Sequence, residues 1–359
     1  MASLTAISII SRKTIRYGLY LLIFLLIARF TFNLIRTIYL KIFPPPPPEA
    51  TVAFGKLPKI PFPQKEFPDN LNFTLETPDG KFPELYTQLP VYEMPPIPQN
   101  INALNDAKAI VRGLNFDQNG KPILESTPNV YIFKKPSVPS TLTMNIITGG
   151  FSINYDYVQN PSVLLGVPSN EDRAKDQVKS FLGSGGLLTA DLANGTYTHQ
   201  FIRAQGTNLT PVDSLSEANL IKINAFRKNY GNKNDIASVT PEMPESNVWF
   251  IFGSNTTQII RGEYYHFPIS ADKSGTYPLK TSEQAWEDLQ SKNGFIVSLG
   301  DNPEGNIIVR RIYLAYYDWG QYQAYYQPVL VFEGDNGFLA YVPAVTAEFY
   351  GAETVVQNN

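Results

Sequence analysis

YGLYLLIFLLIARFTFNLIRTIYLKIFPPPPP, residues 17–48, decides how this chain is organised. Residues 19–28 alone are too short for the roughly 20 apolar residues that a bilayer needs, so a span must run on past Arg29. Residues 19–38 hold thirteen Leu, Ile or Phe side chains. At about −0.3 to −0.6 kcal/mol each they outweigh the roughly +2.5 to +3.5 kcal/mol of one central arginine. Snorkelling of Arg29 lowers that cost further. The run then meets five prolines, Pro44 to Pro48. The order reads as anchor, stiff collar, displayed domain.

A secretory signal peptide has a shorter apolar region ending in a small-x-small cleavage site. Phe43 and the prolines stand there instead, which predicts an uncleaved anchor. Arg12, Lys13 and Arg16 precede the span, whereas Arg36 and Lys41 follow it. That balance predicts a cytoplasmic N-terminus and a domain outside the cytoplasm. Arg29, Asn33 and Arg36 recur at i, i+4 and i+7 and so share one helix stripe. They serve either a partner helix or anionic lipid heads, or they simply reach the membrane interface.

About half of the 29 prolines fall between Pro44 and Pro98. As polyproline II, at about 3.1 Å per residue, such a segment of 55 residues reaches roughly 170 Å. The alternative is that pieces such as LNFTLE (71–76) add strands to the domain edge. Over the full chain, 43% hydrophobic and 17% charged residues describe a folded protein. A net charge of −3, with no basic run beyond the anchor, excludes the footprint of nucleic-acid binding. Cysteine is absent, which for an exported chain suits a bacterial envelope with little disulfide use.

From residue 101 the chain reads as an α+β domain in which a helix followed by antiparallel strands recurs three times. Helices are predicted near 102–113, 170–182 and after Thr281, where Thr281 and Gln284 match a capping box and Gly294 is read as the stop. Strands are expected at 130–134 with 141–157, 196–205 with 218–227, and 247–253 with 258–267. A last set covers 306–317, 326–333 and 338–343, with GDNG (334–337) joining two of them as a hairpin. The divisions are 1–16 cytoplasmic, 17–43 anchor and juxtamembrane helix, 44–100 linker with optional edge strands, 101–270 two α+β units, and 271–359 a third.

The C-terminal unit carries YPL (277–279), the capped helix with Ala285 and Trp286, RIYLAYY (311–317), QPVLVFEG (327–334) and AYVPA (340–344). This pattern resembles the extracellular domains of the YycH/YycI regulators of bacterial sensor kinases and, more loosely, PepSY-type modules. It covers about 70 residues and has no invariant chemical signature. The collar with TVAFGKLP (51–58) resembles uncharacterised single-pass membrane proteins of candidate-phyla bacteria. The YycH/YycI resemblance implies an envelope protein that tunes a membrane kinase through its transmembrane helix and ectodomain. The Pro-rich linker departs from that pattern.

Chemistry-bearing motifs are sparse. His199 and His266 form no metal-ligand spacing and fall in predicted strands, where a packed ring is ordinary. GSGG (183–186) follows a helix instead of opening one and lacks a P-loop lysine. No catalytic, cofactor or metal residue is assigned. Asp318, Glu333 and Asp335 come near one another if the last strands pair, which would permit a glycosidase pair. The one concentration of binding-type residues is 316–326, with six aromatics in eleven positions. Tyr317, Trp319, Tyr322 and Tyr325 are the expected contacts, Trp319 and Tyr322 the most outward; cross-strand packing is the competing explanation. The expected function is a membrane-anchored, non-enzymatic binding or regulatory domain with an envelope or membrane protein as partner. The alternatives are cell-wall glycan binding through the same aromatics and, more distantly, glycan cleavage.

Overall fold

The computed structural model describes residues 4–42, 48–65, 70–123, 127–254, 258–302 and 304–352. Collar residues Phe43 to Pro47 lie outside them. The chain divides into two units, Met1–Glu49 and Ala50–Asn359. The first is one helix, α1 (Leu4–Ile42). Its stretch Arg12–Tyr39, 28 residues, is long and apolar enough to cross a membrane. At 1.5 Å per residue it extends roughly 42 Å, against about 30 Å of hydrocarbon. Thr31 and Thr37 donate their hydroxyls to the carbonyls of Ile27 and Asn33 at 2.8 Å, so neither leaves a polar hydrogen unpaired.

The second unit is α+β, built on two principal sheets. Nine antiparallel strands run in the order Lys121–Pro122, Val130–Lys134, Ser140–Asn145, Phe151–Tyr155, Ile259–Tyr264, Val248–Gly253, Leu220–Ala225, Tyr197–Gln205, Asn208–Val212. Helices α2 (Ala103–Gly113) and α3 (Glu171–Ser184) cover one face. There Ala107, Val111, Ala174, Val178 and Leu182 pack against Phe133, Leu142, Phe151 and Phe250. Apolar residues at the helical period meet apolar residues at the strand period, which is the ordinary burial scheme of a helix on a sheet. Strands assigned from sequence to two separate units thus belong to one sheet, because Ile259–Tyr264 pairs with Phe151–Tyr155 across more than a hundred residues.

The second sheet joins Ser238–Val239, Asn306–Tyr317, Pro328–Gly334, Leu339–Pro343 and Phe295–Ser298. A short helix, α4 (Ala190–Ala193), precedes the Tyr197 strand. On the second sheet lies α5 (Ser282–Gln290), burying Ala285 and Leu289. Both halves of its capping box form: Gln284 N–H donates to Thr281 Oγ1 at 3.3 Å, and Thr281 N–H to Gln284 Oε1 at 2.9 Å. The stop differs from the expectation. Lys292, not Gly294, takes the left-handed conformation at φ +61°, while Gly294 is needed for space, since a Cβ would lie 2.9 Å from the Tyr341 carbonyl oxygen.

The Pro-rich segment past Pro48 is part of this fold. Asn72–Leu75 pairs parallel to Asn306–Val309, and Gln88–Glu93 lies between Ser270–Pro278 and Tyr325–Tyr326. Leu57, Leu89, Val91 and Met94 are core residues. The edge-strand alternative describes residues 71–76, and the long extended reach does not apply to them. Pro90 is tolerated because the Tyr325–Tyr326 strand pairs only with Tyr92 and Glu93, which leaves Pro90 paired on one side alone.

Candidate binding groove

A buried polar node organises the groove. Arg227, two residues beyond the Leu220–Ala225 strand, is 2% exposed. Its Nε donates to Asp318 Oδ2 at 2.6 Å, Nη1 to Asp191 Oδ2 at 2.7 Å, and Nη2 to the Phe267 carbonyl at 2.7 Å. Thr189 donates its hydroxyl hydrogen to Asp191 Oδ1 at 2.6 Å. His266 Nε2 lies 3.0 Å from Thr189 Oγ1, 3.3 Å from Asp191 Oδ1 and 3.3 Å from Arg227 Nη1, so the ring is held at the centre of the node. Burial, reinforced by the Arg227 charge, holds His266 below the usual histidine range, so the ring is neutral. Burial also opposes ionisation of Asp191. The hydrogen bond from His266, the Arg227 guanidinium and the Thr189 hydroxyl outweigh it and keep the carboxyl well below its usual range.

Two walls are tied by this node. On one, Asp318 leads into Trp319 and Gly320; on the other, His266 leads into Phe267. Asn247 Nδ2 donates to the Asp318 carbonyl at 2.8 Å and pins the turn to the nine-stranded sheet. Gly320 has φ +75°, and a Cβ there would stand 2.6 Å from Asn247 Oδ1, so glycine alone fits. Between the walls lies a groove of about 790 Å³ over the sheet face that α2 and α3 leave uncovered. Trp319, Tyr322, Tyr265 and Phe267 supply its aromatic surface. Thr143, Asn145, Thr148, Ser152, Asn247 and Gln321 supply hydroxyls and amides, and among the described residues no charged side chain lines it. Strand alternation produces this face: Thr143, Ser152, Glu263 and Trp249 are successive cross-strand partners, opposite in facing to Leu142, Ile153 and Phe250.

No family model and no curated protein matches the chain. Among solved structures it is similar to an uncharacterized protein from Eubacterium rectale ATCC 33656, at 12% identity and a TM-score of 0.42, over 80% of this chain and 92% of that one.

The expected contact residues separate. Trp319 and Tyr322 are half-buried groove walls. Tyr325 is half-buried and lies against Phe54, ring centroids 4.8 Å apart. Tyr317 is a correction: it is fully buried between Phe62 and Tyr341 and offers no surface to a partner. Strand alternation sends Tyr316 the other way, into a second core where it stacks on Tyr326 at 5.0 Å. Arg29, Asn33 and Arg36 are exposed along α1.

The acidic trio is also corrected. The strands pair as expected, but the register sets Glu333 opposite Arg311, seven residues from Asp318. At about 3.3 Å per residue that is roughly 23 Å, far beyond the roughly 5–9.5 Å of glycosidase carboxylates. Asp318 is committed to Arg227, Glu333 to Arg311 at 3.2 Å and Asp335 to Arg310 at 2.6 Å. Among the described residues no group of three or more His, Asp or Glu side chains could hold a metal ion. Sequence reading missed Arg227, Asp191, Asn247 and Tyr265. The available signal was an arginine directly after the apolar strand LIKINAF.

Proposed function

We propose that this chain is a membrane-anchored, non-enzymatic binding domain held outside the cytoplasm, and that its groove takes an uncharged glycan strand. The observation that carries this reading is the lining: aromatic faces beside six neutral hydroxyl and amide side chains, with no charge among the described residues. Sugar rings present apolar faces that stack on Trp and Tyr, and hydroxyls that pair with amides and alcohols. The apolar helix supports the anchor, and the distribution of Arg and Lys around it supports the outward placement. The dispersed, arginine-paired carboxylates favour binding over cleavage.

Titration of the full-length protein in lipid nanodiscs with chitohexaose and cellohexaose tests the reading. Saturable binding that Trp319→Ala and Tyr322→Ala each weaken about tenfold or more supports it. Absence of saturable binding to either oligosaccharide and to purified wall glycan, with the melting curve unchanged, overturns it.

A contact with another membrane protein, as the YycH/YycI resemblance implies, is the second reading. The placement of Arg29, Asn33 and Arg36 on one stripe of the apolar helix supports it. Arg36→Leu is expected to abolish cross-linking to such a partner without loss of membrane insertion; unchanged cross-linking counts against it.

A further inference from the structure

A second cavity, of about 330 Å³, lies on the opposite, helix-covered side of the nine-stranded sheet, where the C-terminal ends of α2 and α3 approach it. Among the described residues one cation, Lys135, borders it. Lys135 Nζ donates to Gln258 Oε1 at 3.4 Å and stands 5.9 Å from the centre of the Phe116 ring. Among the described residues no Asp or Glu lines the cavity. Burial alone pulls the Lys135 amine below the usual lysine range, with no carboxylate acting to restore it. Two further polar groups border the same space without a hydrogen-bond partner among the described residues: Ser140 Oγ, on a side chain that is 2% exposed, and Gln177 Oε1. Ser140 shares its strand face with Leu142 and Met144, toward α3, which carries Gln177. The turn between the strands ties cation and hydroxyl together, because Lys135 N–H donates to the Ser140 carbonyl at 2.9 Å.

Buried polar groups in folded proteins are almost always paired, and a cation in an apolar setting calls for an anion. The Lys135 ammonium, the unpaired Ser140 hydroxyl and the unpaired Gln177 amide oxygen, beside phenyl rings, define a ligand. We propose that this cavity binds a small monocarboxylate with an apolar body and one hydrogen-bond donor. The carboxylate meets Lys135 Nζ and the Ser140 hydroxyl, the donor meets Gln177 Oε1, and the apolar body lies against Phe181 and Phe252. The volume is at the lower end of ligand pockets, which suits a molecule of phenylacetate size and excludes a polymer. One cation favours a monoanion over a phosphate dianion. This site is separate from the glycan groove and stands whether or not that reading holds.

The test uses the full-length protein in detergent micelles with 4-hydroxyphenylacetate, phenylacetate and the neutral 4-hydroxyphenylacetamide, followed by ligand-observed NMR and calorimetry. Expected are saturable one-to-one binding of both carboxylates, binding of the amide weaker by about tenfold or more, and loss of carboxylate binding in Lys135→Met. Ser140→Ala is the second variant, expected to weaken both carboxylates, and Gln177→Leu is expected to erase the preference for the hydroxylated one. Trp319→Ala leaves all of these unchanged. No saturable binding of either carboxylate at millimolar concentration to folded protein overturns the proposal. Equal binding of the amide, or undiminished binding by a folded Lys135→Met variant, does so as well.

Discussion

Arg227 Nε donates to Asp318 Oδ2 at 2.6 Å, joining the chain just past a central strand of the nine-stranded sheet to the turn that carries Trp319. Burying a guanidinium costs several kcal/mol before any partner is found, and three acceptors surround this one. The bond, with that from Asn247 to the Asp318 carbonyl, holds the turn in place, and loss of Arg227 leaves Asp318 buried without its charged partner.

Removing one partner of a buried pair leaves the other charge uncompensated. Arg227→Met is expected to destabilise the second unit by about 3–5 kcal/mol in urea unfolding. Arg227→Lys should fail to restore most of it, because a point charge on a flexible stem cannot serve three acceptors set around a planar fork. A loss below about 1 kcal/mol would show that the node is dispensable.

Acid should loosen the same node. His266 and Asp191 both titrate lower in the folded chain than their ordinary values of 6.5 and 3.8. The unfolded chain therefore takes up protons first, and stability falls as pH drops. The His266 contribution is present above about pH 6.5 and is lost progressively below it, and that of Asp191 follows below about pH 4. Melting temperature measured from pH 8 to pH 5 should decline, and His266→Gln should flatten that decline. A flat wild-type profile would contradict the assignment.

Tyr317 offers a cleaner contrast. Its hydroxyl is buried without a hydrogen-bond partner among the described residues, whereas the Tyr316 hydroxyl donates to the Pro90 carbonyl at 2.6 Å. Tyr317→Phe should be neutral or stabilising by up to about 1 kcal/mol, and Tyr316→Phe destabilising by about 1 kcal/mol. Paired thermal melts decide it.

The helix cap is a local test. Thr281→Ala removes the side-chain acceptor for Gln284 N–H and should cost about 1 kcal/mol. Chemical denaturation of the two proteins side by side measures it.

A chain beginning at residue 101 should fold poorly. It would lack the Asn72–Leu75 and Gln88–Glu93 strands and the buried Leu57, Leu89, Val91 and Met94. A chain beginning at Ala50 keeps them. Cooperative melting by circular dichroism is expected only of the longer one.

The local features of this fold were legible because local chemistry specifies them. An apolar run of bilayer length makes α1, Thr281 with Gln284 caps α5, and GDNG turns the chain between Pro328–Gly334 and Leu339–Pro343. Trp319 and Tyr322 are half-buried, and their place beside the turn at Gly320 sets them along the groove. Tyr317 was misread because its facing depends on which layer covers each side of its strand, and Phe62 closes that side from a segment that proline content alone describes as a linker.

Pairing over long separations left no local mark. Helix periods, caps, turns and the membrane-length run depend on neighbours within a few residues, so the amino-acid order determines them by itself. The merging of three sets of strands into one sheet, the docking of residues 50–65 and 70–98, and the meeting of Arg227 with Asp191 and Asp318 depend on contacts between residues tens to hundreds apart. Those contacts are chosen by which faces bury the most apolar area and by which buried charges find partners, and only the folded chain resolves that competition.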